Sequence, residues 1–430
     1  MEKAKDDGPG VEAASLIAPR SPFGVPFPAY EGRSLPNITS SVIRAVGIEL
    51  SGEPDILPPL VPELDPFQGR RAEGPVLVLL VDGLGWGDSG RIEERAASGY
   101  PADWTNRARP ITSVFPTTTT VALTSLSTAQ PPSRHGVVGH RMYLPAFGVV
   151  AEILRMSPSG AAGIDTLAGP NWAPAMVSGT ASVFRRGLPS VALTRYRFEG
   201  TAFTRMIYDG ATFVGFSTAS DFAFQLAELL GSRDPPPAIF AYTDDLDTVQ
   251  HLHGPSSEFD AFEVGLVRQI LLAARRRLDS KVARQTTIIV TGDHGQVAST
   301  PATEFPLDRH PKIVAHLARP PTGDRRAAFL TARPGQLDAL RSALGEALPS
   351  SHRIVGMPAA IEAGLFGPPP FHPELSERLG DLLVLPPAPA CITYRLPGAA
   401  ARSRSLLGAH GGLDSAELLV PIVAGTLAEI

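Results

Sequence analysis

The sequence predicts an α/β fold with a mostly parallel central sheet and helices on both faces. Three runs carry that prediction: Pro75–Val81 (PVLVLLV), Ala238–Thr243 (AIFAYT) and Thr286–Thr291 (TTIIVT). Each is nearly continuous in apolar and β-branched residues, as a strand buried on both faces of a parallel sheet must be. Each discharges into charged or turn-forming residues: Asp82-Gly83-Leu84-Gly85, Asp244-Asp245-Leu246-Asp247 and Gly292-Asp293-His294-Gly295. Helical patterns lie between, including Phe259–Leu278 with Phe259, Phe262, Leu266 and Ile270 along one face. Strands alternating with helices imply a parallel sheet.

Taken in order, residues 1–74 are proline-rich and weakly periodic. They read as an N-terminal arm strapped onto the domain, with a short helix near Ile38–Val46 and its first 20 or so residues disordered by composition. Residues 75–297 and 401–430 form the core. Its further strands fall at Ser190–Thr194, Thr212–Phe216 and the C-terminal run from Glu417 to Ala424. Residues 298–400 are less regular and read as a small inserted α+β subdomain. It holds a strand-like Ala328–Thr331, a helix-like Gln336–Leu348 and proline-rich connectors at Pro368–Pro370 and Pro386–Pro389. The chain contains no internal repeat.

Bulk properties exclude several classes. At 430 residues, 43% hydrophobic and 19% charged, the chain has an ordinary soluble globular composition. A net charge of −5 argues against a nucleic-acid polymer as partner, since phosphate-backbone binding needs clustered basic charge. The densest basic cluster, Arg275–Arg277, reads as a solvated helix end. The longest apolar run, Val76–Val81, is far too short for a membrane span. No apolar segment follows Met1-Glu2-Lys3, so the expectation is a cytoplasmic protein with no membrane partner. The single cysteine, Cys391, rules out an intramolecular disulfide and reads as core.

In open α/β sheets ligands bind at the carboxyl ends of the strands. Asp82, Asp247, His251, Asp293 and His294 stand there, and His410 precedes the last strand-like run. Three carboxylates and three imidazoles on one sheet edge repel or desolvate one another unless cations sit among them. Two divalent ions would divide them into two ligand sets, and the nitrogen–oxygen mix suits zinc, with manganese the second choice. Paired metals stabilise the attacking and leaving oxygens of a displacement at phosphorus. Beside these residues runs Pro116-Thr117-Thr118-Thr119-Thr120. A bland reading makes the threonines caps of a helix start. A metal-activated threonine hydroxyl, however, is a nucleophile at neutral pH.

These residues also resemble a known family, the type I phosphodiesterase/nucleotide pyrophosphatase branch of the alkaline phosphatase superfamily. The resemblance runs from about Val76 to the C-terminus. It rests on the strand into Asp82-Gly83, the Pro116–Thr119 run, and Thr128-Ala129 with Pro132-Ser-Arg-His-Gly136 and His135–Tyr143. Asp247-Thr-Val-Gln-His251-Leu-His-Gly254, Gly292-Asp-His-Gly295 and Ala409-His-Gly411 complete it.

The resemblance implies an alkaline-phosphatase-like three-layer sandwich and a hydrolase of phosphodiester or pyrophosphate bonds. Its substrate would be a small phosphoester, nucleotide-like in the parent family. It implies one zinc on Asp247, His251 and His410, and another on Asp82, Asp293, His294 and the nucleophile. Counted from Pro116 and from Thr128, that nucleophile is Thr119, with Thr118 and Thr120 the register alternatives. His253, Asp244 and Asp245 match no ligand position. One departure stands out: nucleotide-type members carry an asparagine three residues after the nucleophile, directed at a phosphoryl oxygen, where this chain has Ala122. Asn171 is one replacement donor. The departure motivates a phosphomonoesterase or phosphonate hydrolase as the alternative activity. A metal-containing binding protein without turnover is the rival from another class. Oligomeric state has no signature in the sequence.

Overall fold

The computed structural model describes residues 22–52, 56–87, 104, 107–255, 258–396 and 406–430. The expected disorder of the first 20 or so residues falls outside them. The apolar runs become adjacent strands of a seven-stranded sheet. Its members are β1 (Val76–Val81), β2 (Arg109–Thr112), β3 (Ser190–Arg195), β4 (Thr212–Phe216), β5 (Ala238–Thr243), β6 (Thr287–Gly292) and β7 (Leu419–Thr426). They lie in the order β2-β7-β6-β1-β5-β3-β4, and β7 runs antiparallel to the other six.

β1 sits at the centre with all its residues buried. Its alternate side chains feed two cores. Val76, Val78 and Leu80 join one with α1 (Leu35–Val46) and α2 (Thr119–Thr128). Leu77, Leu79 and Val81 join the other with α3 (Ala219–Gly231) and α5 (Glu258–Arg275). Period-two alternation thus builds the three layers. α1 is anchored as well as packed, its Thr39 hydroxyl donating to the Leu126 carbonyl at 2.7 Å.

Two expectations shift. Along α5 the buried stripe is Val264, Val267, Ile270, Leu271 and Ala274, while Phe259 and Phe262 are 41% and 67% exposed. Phe259 stacks instead on His253, with ring centroids 4.5 Å apart. The C-terminal strand begins at Leu419 rather than Glu417, because Asp414 caps a short turn of helix at Ser415–Leu418.

A second, antiparallel seven-stranded sheet flanks the first. Arg141–Leu144, Val149–Glu152 and Ser157–Pro158 supply three strands; Thr322–Asp324, Ala327–Leu330, Arg353–Gly356 and Leu382–Leu385 supply four. The two groups meet at Gly323 and Arg141. Leu330, Leu340, Leu344, Leu382 and Val384 form a separate core on one side of it. Cys391 is buried, as a core cysteine should be. Among the described residues, no helix is long and apolar enough to cross a membrane.

Candidate metal centre and nucleophile

Strand register builds the site. Val81, Thr243 and Gly292 align across the sheet, so the residues that follow them emerge together at one edge. Gly83 turns the chain there with φ +80°, and a Cβ on it would lie 3.0 Å from the Cα of Asp247. Only glycine permits both. The Asp247 amide donates to the Asp82 carbonyl at 3.1 Å, which sets α4 (Asp245–His253) against the end of β1. Asp247 and His251, four residues apart, then share one face of α4.

The six predicted ligands fall into two groups, the candidate donor atoms of each lying within 4.8 Å of one another. In the first, His294 Nε2 is 3.5 Å from Asp82 Oδ1 and 3.4 Å from Asp293 Oδ2. In the second, His251 Nε2 is 3.4 Å from Asp247 Oδ2, and His410 Nε2 is 4.0 Å from Asp247 Oδ1. The groups abut: the His294 and His410 rings stack with centroids 3.8 Å apart.

All three imidazoles are oriented alike. His294 Nδ1 faces the Gly295 carbonyl at 3.2 Å, His251 Nδ1 that of Gly408 at 3.0 Å, and His410 Nδ1 that of Thr117 at 3.0 Å. A carbonyl accepts, so each Nδ1 carries the proton and each Nε2 presents a lone pair to the site. The carboxylates match that arrangement. Asp293 Oδ1 accepts from the amides of Gly83 (3.0 Å) and His294 (2.9 Å). Its Oδ2, and Oδ1 of Asp82, are buried without a hydrogen-bond partner. Two orphaned carboxylate oxygens in a buried site are costly unless a cation meets them. Burial, then Asp293 and Asp247, pushes the Asp82 carboxyl well above its ordinary range. Burial also raises Asp247, while burial and the neighbouring His294 and His251 push His410 well below the usual histidine value. Without positive charge Asp82 and Asp247 resist ionisation, and a divalent cation reverses that balance. The residues therefore fit two such ions.

α2 begins within this cluster. Thr118 is its N-cap residue and Thr119 its first helical residue. Thr119 Oγ1 lies 3.3 Å from His294 Nε2. Two hydroxyls of the run point elsewhere: Thr117 donates to the Gly412 carbonyl at 2.9 Å and Thr120 to that of Gly139 at 3.1 Å. Every residue of α2 is buried. Thr124 and Thr128 return their hydroxyls to the carbonyls four residues back, which lets so polar a helix sit in the core.

Other singled-out residues serve different ends. Asp244 and Asp245 pair with Arg195, and Asp244 also with Arg197. Asn171 is exposed in a turn, and Ala122 is fully buried and offers no donor. Sequence reasoning missed the outer partners of the ligands. The Tyr242 hydroxyl donates to Asp82 Oδ2, and the Gln296 amide donates to Asp247 Oδ1. Tyr242 reads locally as one more strand residue; only the tyrosine hydroxyl near a strand end hints otherwise.

The sequence model of the type I phosphodiesterase / nucleotide pyrophosphatase family matches residues 76–413. Murine ectonucleotide pyrophosphatase / phosphodiesterase 5 has a similar structure, with TM-score 0.61 and 17% identity, covering 81% of this chain and 87% of its own. An inactive form of that protein with a threonine-to-alanine change, in complex with AMP, is similar to the same degree, covering 82% and 87%. Phosphonoacetate hydrolase from Sinorhizobium meliloti 1021, in complex with phosphonoacetate, gives TM-score 0.59 and 15% identity over 82% of this chain and 90% of that one. At such identities the structural likeness shows the fold alone. No curated protein matches this sequence.

Proposed function

The chain belongs to the type I phosphodiesterase / nucleotide pyrophosphatase family of phosphoester hydrolases, and on that premise we propose that it cleaves phosphodiester or pyrophosphate bonds through a phosphorylated Thr119. The observation that carries the reading is the position of Thr119 Oγ1, 3.3 Å from His294 Nε2, beside two groups of ligand atoms with orphaned carboxylate oxygens among them.

Asp82, Asp293, His294 and Thr119 would hold one ion, and Asp247, His251 and His410 the other. Zinc suits this donor set best and manganese second. Bound there, the ions supply Lewis-acid charge that lowers the pKa of the hydroxyl and neutralises phosphoryl and leaving oxygens. Thr119 Oγ1 bonds to phosphorus as the bond to the leaving oxygen breaks, and the proton it gives up passes through solvent to that oxygen. Water then attacks the phosphothreonine, giving up a proton as it bonds to phosphorus, and Oγ1 departs and takes up a proton. The threonine is fixed for this task, because its backbone is held in the first turn of a buried helix. The threonine-to-alanine form of the murine protein, in complex with AMP, is inactive, which is in keeping with a threonine at the centre of the reaction.

Ala122 favours a second reading, a phosphomonoesterase or phosphonate hydrolase on the same machinery, since it places no amide beside a phosphoryl oxygen. A panel of a bis-nitrophenyl phosphodiester, its monoester and a phosphonate, run with wild type and Thr119→Ala, tests both. The primary reading expects the diester to turn over fastest, with loss of at least about 10³-fold in Thr119→Ala while metal content is kept. Full activity in Thr119→Ala would refute it, and preference for the monoester or phosphonate would favour the second reading.

A further inference from the structure

A buried ion pair outside the ligand set reaches the candidate metal centre from the second sheet. Arg326 and Glu417 are 1% and 0% exposed in their side chains and 2.8 Å apart. Arg326 lies in the turn between Thr322–Asp324 and Ala327–Leu330, and Glu417 in the short helix before β7. All three guanidinium nitrogens are engaged: Nε and Nη2 donate to Glu417, and Nη1 donates to the carbonyls of Pro386 and Ala390. Glu417 Oε1 accepts the Gly412 amide at 2.8 Å. The main chain of the same residue accepts the Gly295 amide at 3.0 Å. Glu417 thus touches the residue after His294 through its backbone, and the loop carrying His410 through its carboxylate.

That loop is held from the other side by the threonine run. Thr117 Oγ1 donates to the Gly412 carbonyl and accepts from the Gly411 amide at 3.0 Å, while the Thr117 carbonyl faces His410 Nδ1. Gly411 adopts φ +116°, and a Cβ there would meet Asp324 at 2.6 Å, so the loop is tightly confined. We infer that the Arg326–Glu417 pair is a positioning device for His410, holding its loop against Thr117 and so tying the second sheet to one half of the metal centre. The inference rests on the proposed two-metal reading. It adds an asymmetry: removing the carboxylate frees Gly412 and leaves the backbone contact to Gly295 intact.

The test measures metal stoichiometry and the two stepwise zinc affinities of the full chain, with thermal melting as a check on folding. The variants are Glu417→Gln, Glu417→Ala and the double change Arg326→Met with Glu417→Leu, which leaves no buried charge unpaired. The inference expects one affinity to fall about 10- to 100-fold in Glu417→Ala and in the folded double variant, with the other unchanged. Glu417→Gln, which keeps an acceptor for Gly412, should retain most of the lost affinity. Wild-type affinities at both sites in the double variant would overturn the inference and leave the two-metal reading standing, as would equal weakening of both, the mark of a general structural role. A wild type that binds no zinc or manganese would instead overturn the two-metal reading.

Discussion

The two halves of the candidate centre share residue types but not environments. Asp82, Asp293 and His294 are sealed, with side chains 4%, 0% and 0% exposed, whereas Asp247, His251 and His410 are 15%, 22% and 11% exposed. The sealed half rises from the ends of β1 and β6 at the centre of the sheet and abuts Thr119. The open half hangs on α4 and on the His410 loop, at the rim. In a dry site a charge interacts strongly and cannot be replaced by solvent; at the rim water can substitute for a lost ligand. The difference suits the proposed two-ion reading, in which the buried half would activate Thr119 and the open half would meet the leaving group and the incoming water.

The largest test of that contrast is to remove one ligand from each half. Asp293→Ala is expected to abolish binding of one ion and to destabilise the fold, since its Oδ1 also takes two backbone amides. His251→Ala is expected to weaken one ion while the protein stays folded. Both losses should exceed the roughly 100-fold typical of outer partners. Metal analysis with calorimetry checks this, and equal thermal destabilisation by the two changes would break the contrast. A smaller effect is expected from Tyr242→Phe, which deletes the hydroxyl donated to Asp82 Oδ2. Affinity of the sealed half should drop about 10-fold or more while the open half is unchanged; stepwise zinc titration reads this, and an effect on both halves would argue against it. The smallest belongs to Thr120→Val, which loses one hydrogen bond to the Gly139 carbonyl. Stability should fall by about 1 kcal/mol, with turnover unchanged, because that hydroxyl points away from the cluster. A turnover loss matching that of Thr119→Ala would instead move the nucleophile by one residue.

How much of this could be read from the sequence follows from where each signal is stored. The central strands were legible because burial on both faces leaves an unbroken apolar run, and five of the six ligand candidates because they follow where those runs stop, His410 instead preceding the last strand. The face of α5 was not, since Phe259 and Phe262 follow the helical period yet meet His253 and solvent rather than the sheet. The run of threonines carries no local mark of which hydroxyl matters. Resemblance chose Thr119 by counting, and the Gly139 carbonyl that takes the Thr120 hydroxyl supplies a physical distinction from that alternative. The least legible feature is Arg326 with Glu417. Residues so far apart in sequence meet only because one sheet packs on the other, and neither has a local pattern to betray it.

The central claim is a covalent phosphothreonine at the junction of the two halves. Its most direct measurement is rapid acid quench of the metal-loaded enzyme during turnover of a phosphodiester, followed by peptide mass spectrometry of the segment containing residues 116–120. A phosphoryl adduct on Thr119 that forms within a turnover and is absent from Thr119→Ala is the expected result. A protein that hydrolyses the substrate with no adduct on that segment, or with one on Thr118 or Thr120, would contradict it.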